Sequence, residues 1–358
     1  MALASALRAG IRGRSGRLRS RRPLALAAAG VIALLVVLVA GVAAGTVAIP
    51  VGDTIGILGH RLLGLNVPVT WSPAEEAIVW DLRLPRVLTA MTVGVGLAVA
   101  GVTFQGLLRN PLADPYVLGT ASGAALGAAI AVILPVRTLI LQFGLINVLA
   151  FAGALGAVVL VYRLARMGAG GQTTSLLLTG YAIGSLLAAG LAMAMYLSGA
   201  GLRQIFAFLL GGFEASSWDR LAAAAPLIAI SAVLIGLRAR SLNGLLLGEE
   251  AAAHLGVDVR RERAILLALA SLATAAAVAV SGLVGFVGLV APHVVRIVVG
   301  PNARLVLPLS ALLGASLMTG ADLAARLLGE IPVGVVTAVI GAPVFLSLLR
   351  RSRSGYEL

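Results

Sequence analysis

The sequence predicts an all-α, polytopic membrane protein with about ten membrane-spanning helices. Of its 358 residues, 60% are apolar and 11% are charged, whereas soluble domains average roughly 45–50% and 25%. The mean hydropathy is +1.05, which is typical of integral membrane proteins. All 27 basic residues are arginines, and they occur in short groups between apolar runs. This pattern indicates membrane orientation by basic loops and argues against a nucleic-acid-binding surface.

Residues 1–22 contain seven arginines and no acid, and an apolar run of about 24 residues follows at 23–46. An arginine-rich start before an apolar run is also the pattern of a signal peptide, and Arg21-Arg22 imitates a twin-arginine signal. However, the run is longer than the roughly 7–15 residues of a signal-peptide core. We therefore expect an arginine-rich cytoplasmic tail, residues 1–22, and then a first membrane-spanning helix.

Residues 47–81 are predicted to form an outer segment. Apolar residues at helical spacing within 51–65 predict a short helix at the membrane surface, with Trp71 and Trp80 as anchors at the interface. Nine further apolar runs predict the other spans: 85–108, 116–134, 139–162, 175–198, 221–237, 264–282, 284–299, 305–323 and 333–349.

An even number of spans places both termini on the same side of the membrane. This topology puts 20 of the 27 arginines inside and 7 outside, which agrees with cytoplasmic termini in an inner membrane. The spans form one domain, residues 23–350, followed by a cytoplasmic tail at 351–358. Glycines inside the runs, such as Gly94, Gly101 and Gly314, predict close approach of helix backbones.

The composition excludes several kinds of chemistry. Without cysteine the chain has no disulfide and no thiolate metal site, and without lysine it has no phosphate-binding loop of the Walker A type. His60, His254 and His293 are scattered, and hydrogen-bonded structural histidines are the favoured interpretation. The sequence therefore predicts no cofactor, no catalytic residue and no ATPase activity of its own.

Ion-coupled transporters usually carry ionisable groups at membrane depth. Here the fourteen acidic residues lie almost wholly in loops and tails. Asp322, near the outer end of the ninth span, is the main exception, and we expect it to pair with Arg326 four residues later. An ion-coupled secondary transporter is thus the weaker alternative. A transporter that neither hydrolyses ATP nor couples to an ion gradient needs a docking surface for a partner that supplies the energy.

The largest predicted inner loop, about 241–258, contains a candidate docking helix. Glu249 and Glu250 favour a helical N-terminal turn, and Gly256 ends the segment. Because its apolar residues have no evident core, a helix on the membrane surface and a partner-docking helix explain the pattern equally well. The candidate docking residues are Leu245, Leu246, Gly248, Glu249, Glu250, Ala252, His254, Leu255 and Gly256.

A polar corner joins the second and third predicted spans. Its candidate structural residues are Gln105, Asn110, Pro111, Asp114 and Pro115. Each proline biases the residue before it away from helix, and Pro115 is expected near the first turn of the next span. The corner holds no catalytic constellation, so we expect a rigid joint.

Three arginines, Arg83, Arg86 and Arg326, are predicted at the outer ends of spans. Exposed arginines on the side where basic residues are disfavoured would suit a carboxylate partner. Simple extension of the side chains towards the membrane surface is the alternative.

Four segments of the sequence resemble, in the same order, the FecCD-type permeases. These segments are RLPR…G…G…QGLLRNPLADPYVLGTASGA, LLLGEEAAAHLGV, SGLVGFVGLVAPHVVR and GEIPVGVVTAVIGAPVF. Such permeases are the membrane subunits of type II ABC importers for iron–siderophores, haem and vitamin B12. The resemblance extends over about residues 25–350.

The resemblance implies the type II ABC importer permease fold and several partners. These are a second permease subunit (a copy or a paralogue), two cytoplasmic ATPase subunits and an extracytoplasmic binding protein. It favours ATPase docking for the helix around 245–256, and it places Arg83, Arg86 and Arg326 where acidic side chains of the binding protein would meet them. A ferric siderophore is the first expectation for the cargo, and vitamin B12 or haem is the alternative.

Overall fold

The fold is helical apart from one pair of two-residue strands. The computed structural model describes residues 2–45, 47–134, 139–140, 143–167 and 172–353. The helices are α1 Ala2–Ala43, α2 Val51–Leu63, α3 Pro73–Ala77, α4 Leu84–Leu107, α5 Thr120–Ile133, α6 Leu145–Ala165, α7 Gln172–Leu197, α8 Leu202–Leu210, α9 Trp218–Leu237, α10 Ala239–Leu246, α11 Glu249–His254, α12 Val259–Ser281, α13 Val287–Val299, α14 Ala303–Leu327 and α15 Val333–Arg353. The strands β1 Leu139–Ile140 and β2 Phe143–Gly144 pair antiparallel.

The predicted ten-helix membrane fold is confirmed. The helices α1, α4, α5, α6, α7, α9, α12, α13, α14 and α15 match the ten predicted spans in order. Within the described part of the chain, seven helical segments are long and apolar enough to cross a membrane. The helices α5 and α13, and the apolar part of α15, are shorter apolar helices.

Several predicted boundaries differ from the structure. Helix α1 begins at Ala2, so the predicted tail and the first span form one continuous helix. Helix α6 begins at Leu145 rather than 139, because the chain before it forms the strand pair. The short helix α8 was not predicted. Residues 354–358 of the predicted C-terminal tail lie outside the described residues.

The helix that contains the second span begins earlier than predicted, at Pro73. The Ser72 hydroxyl accepts a hydrogen bond from the Glu75 backbone nitrogen at 3.3 Å, and the Glu75 carboxylate accepts one from the Ser72 backbone nitrogen at 2.7 Å. This reciprocal capping box, with proline at the first helical position, is a strong helix start. A π-helical turn, Ile78–Arg83, then joins α3 to α4.

The short helix predicted within 51–65 is confirmed as α2, which ends at Gly64 in the left-handed conformation. The prediction that Trp71 anchors the chain at the membrane interface is wrong. Its side chain is buried and belongs to the same apolar cluster as Ile57 and Val79. Trp80 is half-buried and lies 5.2 Å from the ring of Trp218.

Helix α4 occupies the centre of the fold, since 19 of its 24 residues are buried. It packs against α9, α12, α13 and α14. One apolar cluster surrounds its middle near Val93 and Leu97. A second cluster surrounds its last turns near Phe104 and Leu107. The two ends of α4 are about 36 Å apart at 1.5 Å per residue.

Glycines allow α4 to approach its neighbours backbone to backbone, as the sequence predicted. A Cβ atom on Gly94 would lie 2.2 Å from the carbonyl oxygen of Gly314 in α14. A Cβ atom on Gly101 would lie 1.7 Å from the carbonyl oxygen of Gly288 in α13. Any larger residue at these positions must push the helices apart.

We expect Gly101→Val to destabilise the protein by about 1–3 kcal/mol, because the added atoms meet a backbone that cannot move aside. The matched control is Gly156→Val in α6, where no atom lies within 4 Å of an added Cβ. Thermal unfolding of the purified proteins in detergent measures the difference. Equal melting temperatures for the two variants would contradict the close packing of α4 and α13.

Candidate functional site

The first of two polar clusters lies where α4 begins and α14 ends. We define the arginine cluster as Arg83, Arg86, Asp322, Arg326 and Glu330. Asp322 is fully buried and lies 2.9 Å from Arg86 Nε and 3.2 Å from Arg326 Nε. The predicted pairing of Asp322 with Arg326 is therefore confirmed. Arg86 also has a second acidic partner. Its Nη1 lies 3.1 Å from the carboxylate of Glu330, in the turn after α14.

Two of these arginines cap the C-terminus of α1. The last carbonyl groups of a helix have no partner within the helix and carry partial negative charge. Arg83 Nη1 donates to the carbonyl oxygens of Val42 and Ala43 at 3.2 and 2.7 Å. Arg326 Nη2 donates to the carbonyl oxygen of Gly41 at 2.8 Å. The two guanidinium groups thus fix the end of α1 against α4 and α14.

The expectation of three exposed arginines is wrong for Arg83 and Arg326. Both residues are only 6% exposed, because their donors are used by α1 and by Asp322. Arg86 differs, since its side chain is 13% exposed and reaches the exposed Glu330. Periodicity could not reveal this burial, because the backbone carbonyl groups that accept from Arg83 and Arg326 lie 36 to 285 residues away in sequence.

The second polar region is the predicted corner, at the other end of α4. Gln105 is buried in the last turn of α4. Its Nε2 donates to the Leu289 carbonyl oxygen at 3.3 Å, and its Oε1 accepts from Arg296 Nη1 at 2.8 Å. The end of α4 is therefore fastened to α13 through Gln105 and Arg296.

Local hydrogen bonds shape the corner itself. Asn110 Oδ1 accepts from the backbone nitrogen of Leu112 at 2.9 Å, and Asp114 Oδ1 accepts from that of Tyr116 at 2.8 Å. Short polar side chains stabilise turns in this way. Burial raises the pKa of the Asp114 carboxyl to about 6, against the opposing effect of its one backbone donor.

The expectation that Pro115 begins the next span is wrong. Helix α5 begins five residues later, at Thr120, whose hydroxyl donates to the Pro115 carbonyl oxygen at 2.9 Å. Pro115 instead packs on α13. A Cβ atom on Gly288 would come within 2.6 Å of the Pro115 ring, so the corner requires glycine at that position.

The candidate docking segment consists of two short helices rather than one. Gly248, with φ of 116°, separates α10 from α11. Leu245 and Leu246 therefore belong to α10, while Glu249 and Glu250 begin α11 as predicted. Gly256 follows α11 with φ of 81°.

The expectation that this segment lacks a core is also wrong. Leu245 and Ala252 are buried in the apolar cluster at the corner end of α4, and Leu246 is half-buried. Two leucines remain exposed, Leu247 at 70% and Leu255 at 66%. Glu250, Ala253, His254 and Gly256 share the exposed surface. Leu247 was not among the predicted docking residues, although it stands within the same apolar motif.

Glu249 connects the docking segment to the corner. Its carboxylate lies 2.8 Å from Arg263 Nη1 in α12 and 3.6 Å from Arg109 Nη2 in the corner. Arg109 has a positive φ of 48°, which is uncommon for a residue other than glycine. Asn243 in α10 accepts from the backbone nitrogen of Ala303 at 2.7 Å. The docking segment therefore contacts α12, the corner and the start of α14.

The geometry is that of a helical, multi-pass membrane protein with a polar cluster at each end of a tightly packed core. Among the described residues, no group of three or more His, Cys, Asp or Glu side chains could hold a metal ion. The chain belongs to the FecCD transport family, which matches residues 33–351. It is thus a multi-pass membrane permease subunit of an ABC importer.

Two sequence relatives and one solved structure are similar to most of this chain. The cobalamin import system permease BtuC of Halobacterium salinarum is 40% identical over 319 residues, which cover 85% of each chain. The hemin transport system permease HmuU of Yersinia pestis is 38% identical over 310 residues, covering 84% of this chain and 92% of that one. A solved structure described as an inward-facing conformation of a metal-chelate type ABC transporter superposes with a TM-score of 0.78, at 30% identity, over 91% of this chain and 98% of that one.

We expect Asp322→Asn to destabilise the protein by about 3–5 kcal/mol, because it leaves Arg86 and Arg326 without their buried counter-charge. Glu330→Gln is the matched control, since removal of a partly exposed acid costs roughly 0–1 kcal/mol. Unfolding in detergent, followed by tryptophan fluorescence, measures both variants. Equal losses of stability would show that Asp322 stabilises the arginine cluster no more than Glu330 does.

Proposed function

We propose that this subunit forms the translocation path for a corrinoid or haem, with import driven by a separate ATPase. The observation that carries the proposal is the identity of 38–40% over more than four fifths of the chain to permeases named for hemin and cobalamin. A ferric siderophore, which sequence reasoning placed first, remains a second candidate because the similar solved structure is described as a metal-chelate transporter.

The ATPase docks, in this proposal, on the exposed face of α10 and α11. Leu247 and Leu255 are the largest apolar side chains on that face, and burial of exposed leucines is a common driving force in helix-in-groove recognition. An ATPase on this surface places the corner end in the cytoplasm, and with it both termini. A second permease subunit, either a copy or a paralogue, completes the translocation path.

The extracytoplasmic binding protein docks at the arginine end through Arg86. Three guanidinium groups and two carboxylates leave this cluster with an excess of positive charge, which suits an acidic partner. Arg86 is the arginine with a contact at the surface, through Glu330. Arg83 and Arg326 act as positioning residues for Arg86. Both hold the end of α1, and Arg326 also holds the buried Asp322 that pairs with Arg86.

Cargo is tested by uptake into proteoliposomes that contain the permease with its cognate ATPase and binding protein from the same organism. We expect ATP-dependent uptake of cobalamin or haem to exceed that of ferric siderophores. Preferential uptake of a ferric siderophore would replace the proposed cargo with the second candidate. Uptake without ATP, by the permease alone, would overturn the assignment of a separate energy source.

ATPase docking is tested by Leu255→Asp. A charge at the centre of an apolar contact should cost about 2 kcal/mol or more, which is roughly a 30-fold weaker association. Leu63→Asp in α2 is the matched control, since that leucine is 73% exposed at the opposite end of the fold. Co-purification of the ATPase with each variant gives the measurement. Equal recovery with both variants would exclude this surface.

A further inference from the structure

We propose that Glu330 is an internal competitor for Arg86, which an acidic side chain of the binding protein displaces on docking. The inference rests on the proposed docking of the binding protein at Arg86. Glu330 belongs to the segment GEIPVGVVTAVIGAPVF, and the function proposed above gives it no part. In the absence of the partner, the Glu330 carboxylate holds Arg86 in place and covers its charge.

The two acidic partners of Arg86 differ in how readily they can be exchanged. Asp322 is fully buried, lies 2.9 Å from Arg86 Nε, and is shared with Arg326. Glu330 lies 3.1 Å from Arg86 Nη1, and its side chain is 42% exposed. An exposed ion pair contributes little to stability. An acidic group of the partner can therefore replace Glu330 at the Arg86 guanidinium with little loss of stability.

The backbone at Glu330 is unusual for the residue that occupies it. Its φ is 60°, and Gly329 before it has a φ of 95°. Residues other than glycine adopt the left-handed region at an energetic cost. The turn between α14 and α15 would thus favour glycine at position 330, yet it carries a carboxylate directed at Arg86. The charge explains the presence of glutamate better than the turn does.

The pair with Glu330 does not saturate the guanidinium. Within the described residues, Arg86 Nη2 is buried and has no hydrogen-bond partner. With Glu330 in place the arginine cluster carries three positive and two negative groups. Without Glu330 it carries three positive groups and one negative group. Displacement of Glu330 therefore doubles the excess positive charge that faces an incoming carboxylate, which strengthens its attraction.

The test measures the affinity of the cognate binding protein for the complete permease–ATPase complex in lipid nanodiscs. We expect Glu330→Gln to tighten docking about two- to fivefold, the scale of one exposed ion pair. Glu330→Gly should tighten it as well, and it relieves the left-handed backbone, so the outcome does not depend on how well the glutamine variant folds. Glu330→Asp, which keeps the charge, should stay nearer to the wild-type affinity than either variant.

Two further variants separate this inference from the docking proposal. Glu76→Gln removes an acid that is paired with Arg61 instead, and we expect wild-type affinity. Arg86→Gln should weaken docking at least tenfold if Arg86 is the contact. If Arg86→Gln weakens docking while Glu330→Gln and Glu330→Gly leave it unchanged or weaker, the competitor role is overturned and the docking site stands. If Arg86→Gln has no effect, docking at Arg86 is wrong, and the competitor role falls with it.

Discussion

The buried carboxylate of Asp322 is the interaction on which one whole end of the molecule depends. Arginine remains charged at every physiological pH, and a buried charge without a partner is very costly. Arg86 and Arg326 can lie against apolar helices only because Asp322 lies between them. Arg326, held in this way, then reaches the end of α1 with its remaining donors. Asp322 thus contributes to the position of α1 through Arg326, while Arg83 holds the same helix end independently.

Two helices run between the two polar ends, in opposite chain directions. Helix α4 begins in the arginine cluster and ends in the corner. Helix α14 begins at Ala303, which donates to Asn243 of the docking segment, and its last turn contains Arg326 of the arginine cluster. Contact through Gly94 and Gly314 leaves no space between their backbones. Dense packing resists continuous deformation, so such helices move as units. A displacement of the docking segment would therefore reach the arginine end through rigid elements rather than through a chain of flexible side chains.

Hydropathy and local spacing predicted much of this fold, and tertiary contacts account for what they missed. The ten spans follow from apolar runs, and the Asp322–Arg326 pair follows from helical spacing. The burial of Arg83 could not be predicted, because its acceptors are backbone carbonyls at the end of another helix. The division of the docking segment could have been suspected at Gly248, since glycine tolerates the φ of 116° found there. The buried side of that segment depends on Leu242 and the end of α4, which sequence spacing does not bring together.

The level of similarity to the relatives does not depend on the cargo for which they are named. Permeases named for cobalamin and for hemin are nearly equally similar to this chain, at 40% and 38% identity, over almost the same share of it. The level of identity therefore does not distinguish one cargo from the other. The charged groups described here lie at the ends of the spans, with Arg86 and Glu330 at one end and Arg109 and Glu249 at the other. Discrimination between two ligands depends on the contacts that differ between them, so the choice of cargo has to be sought in residues that differ among these permeases.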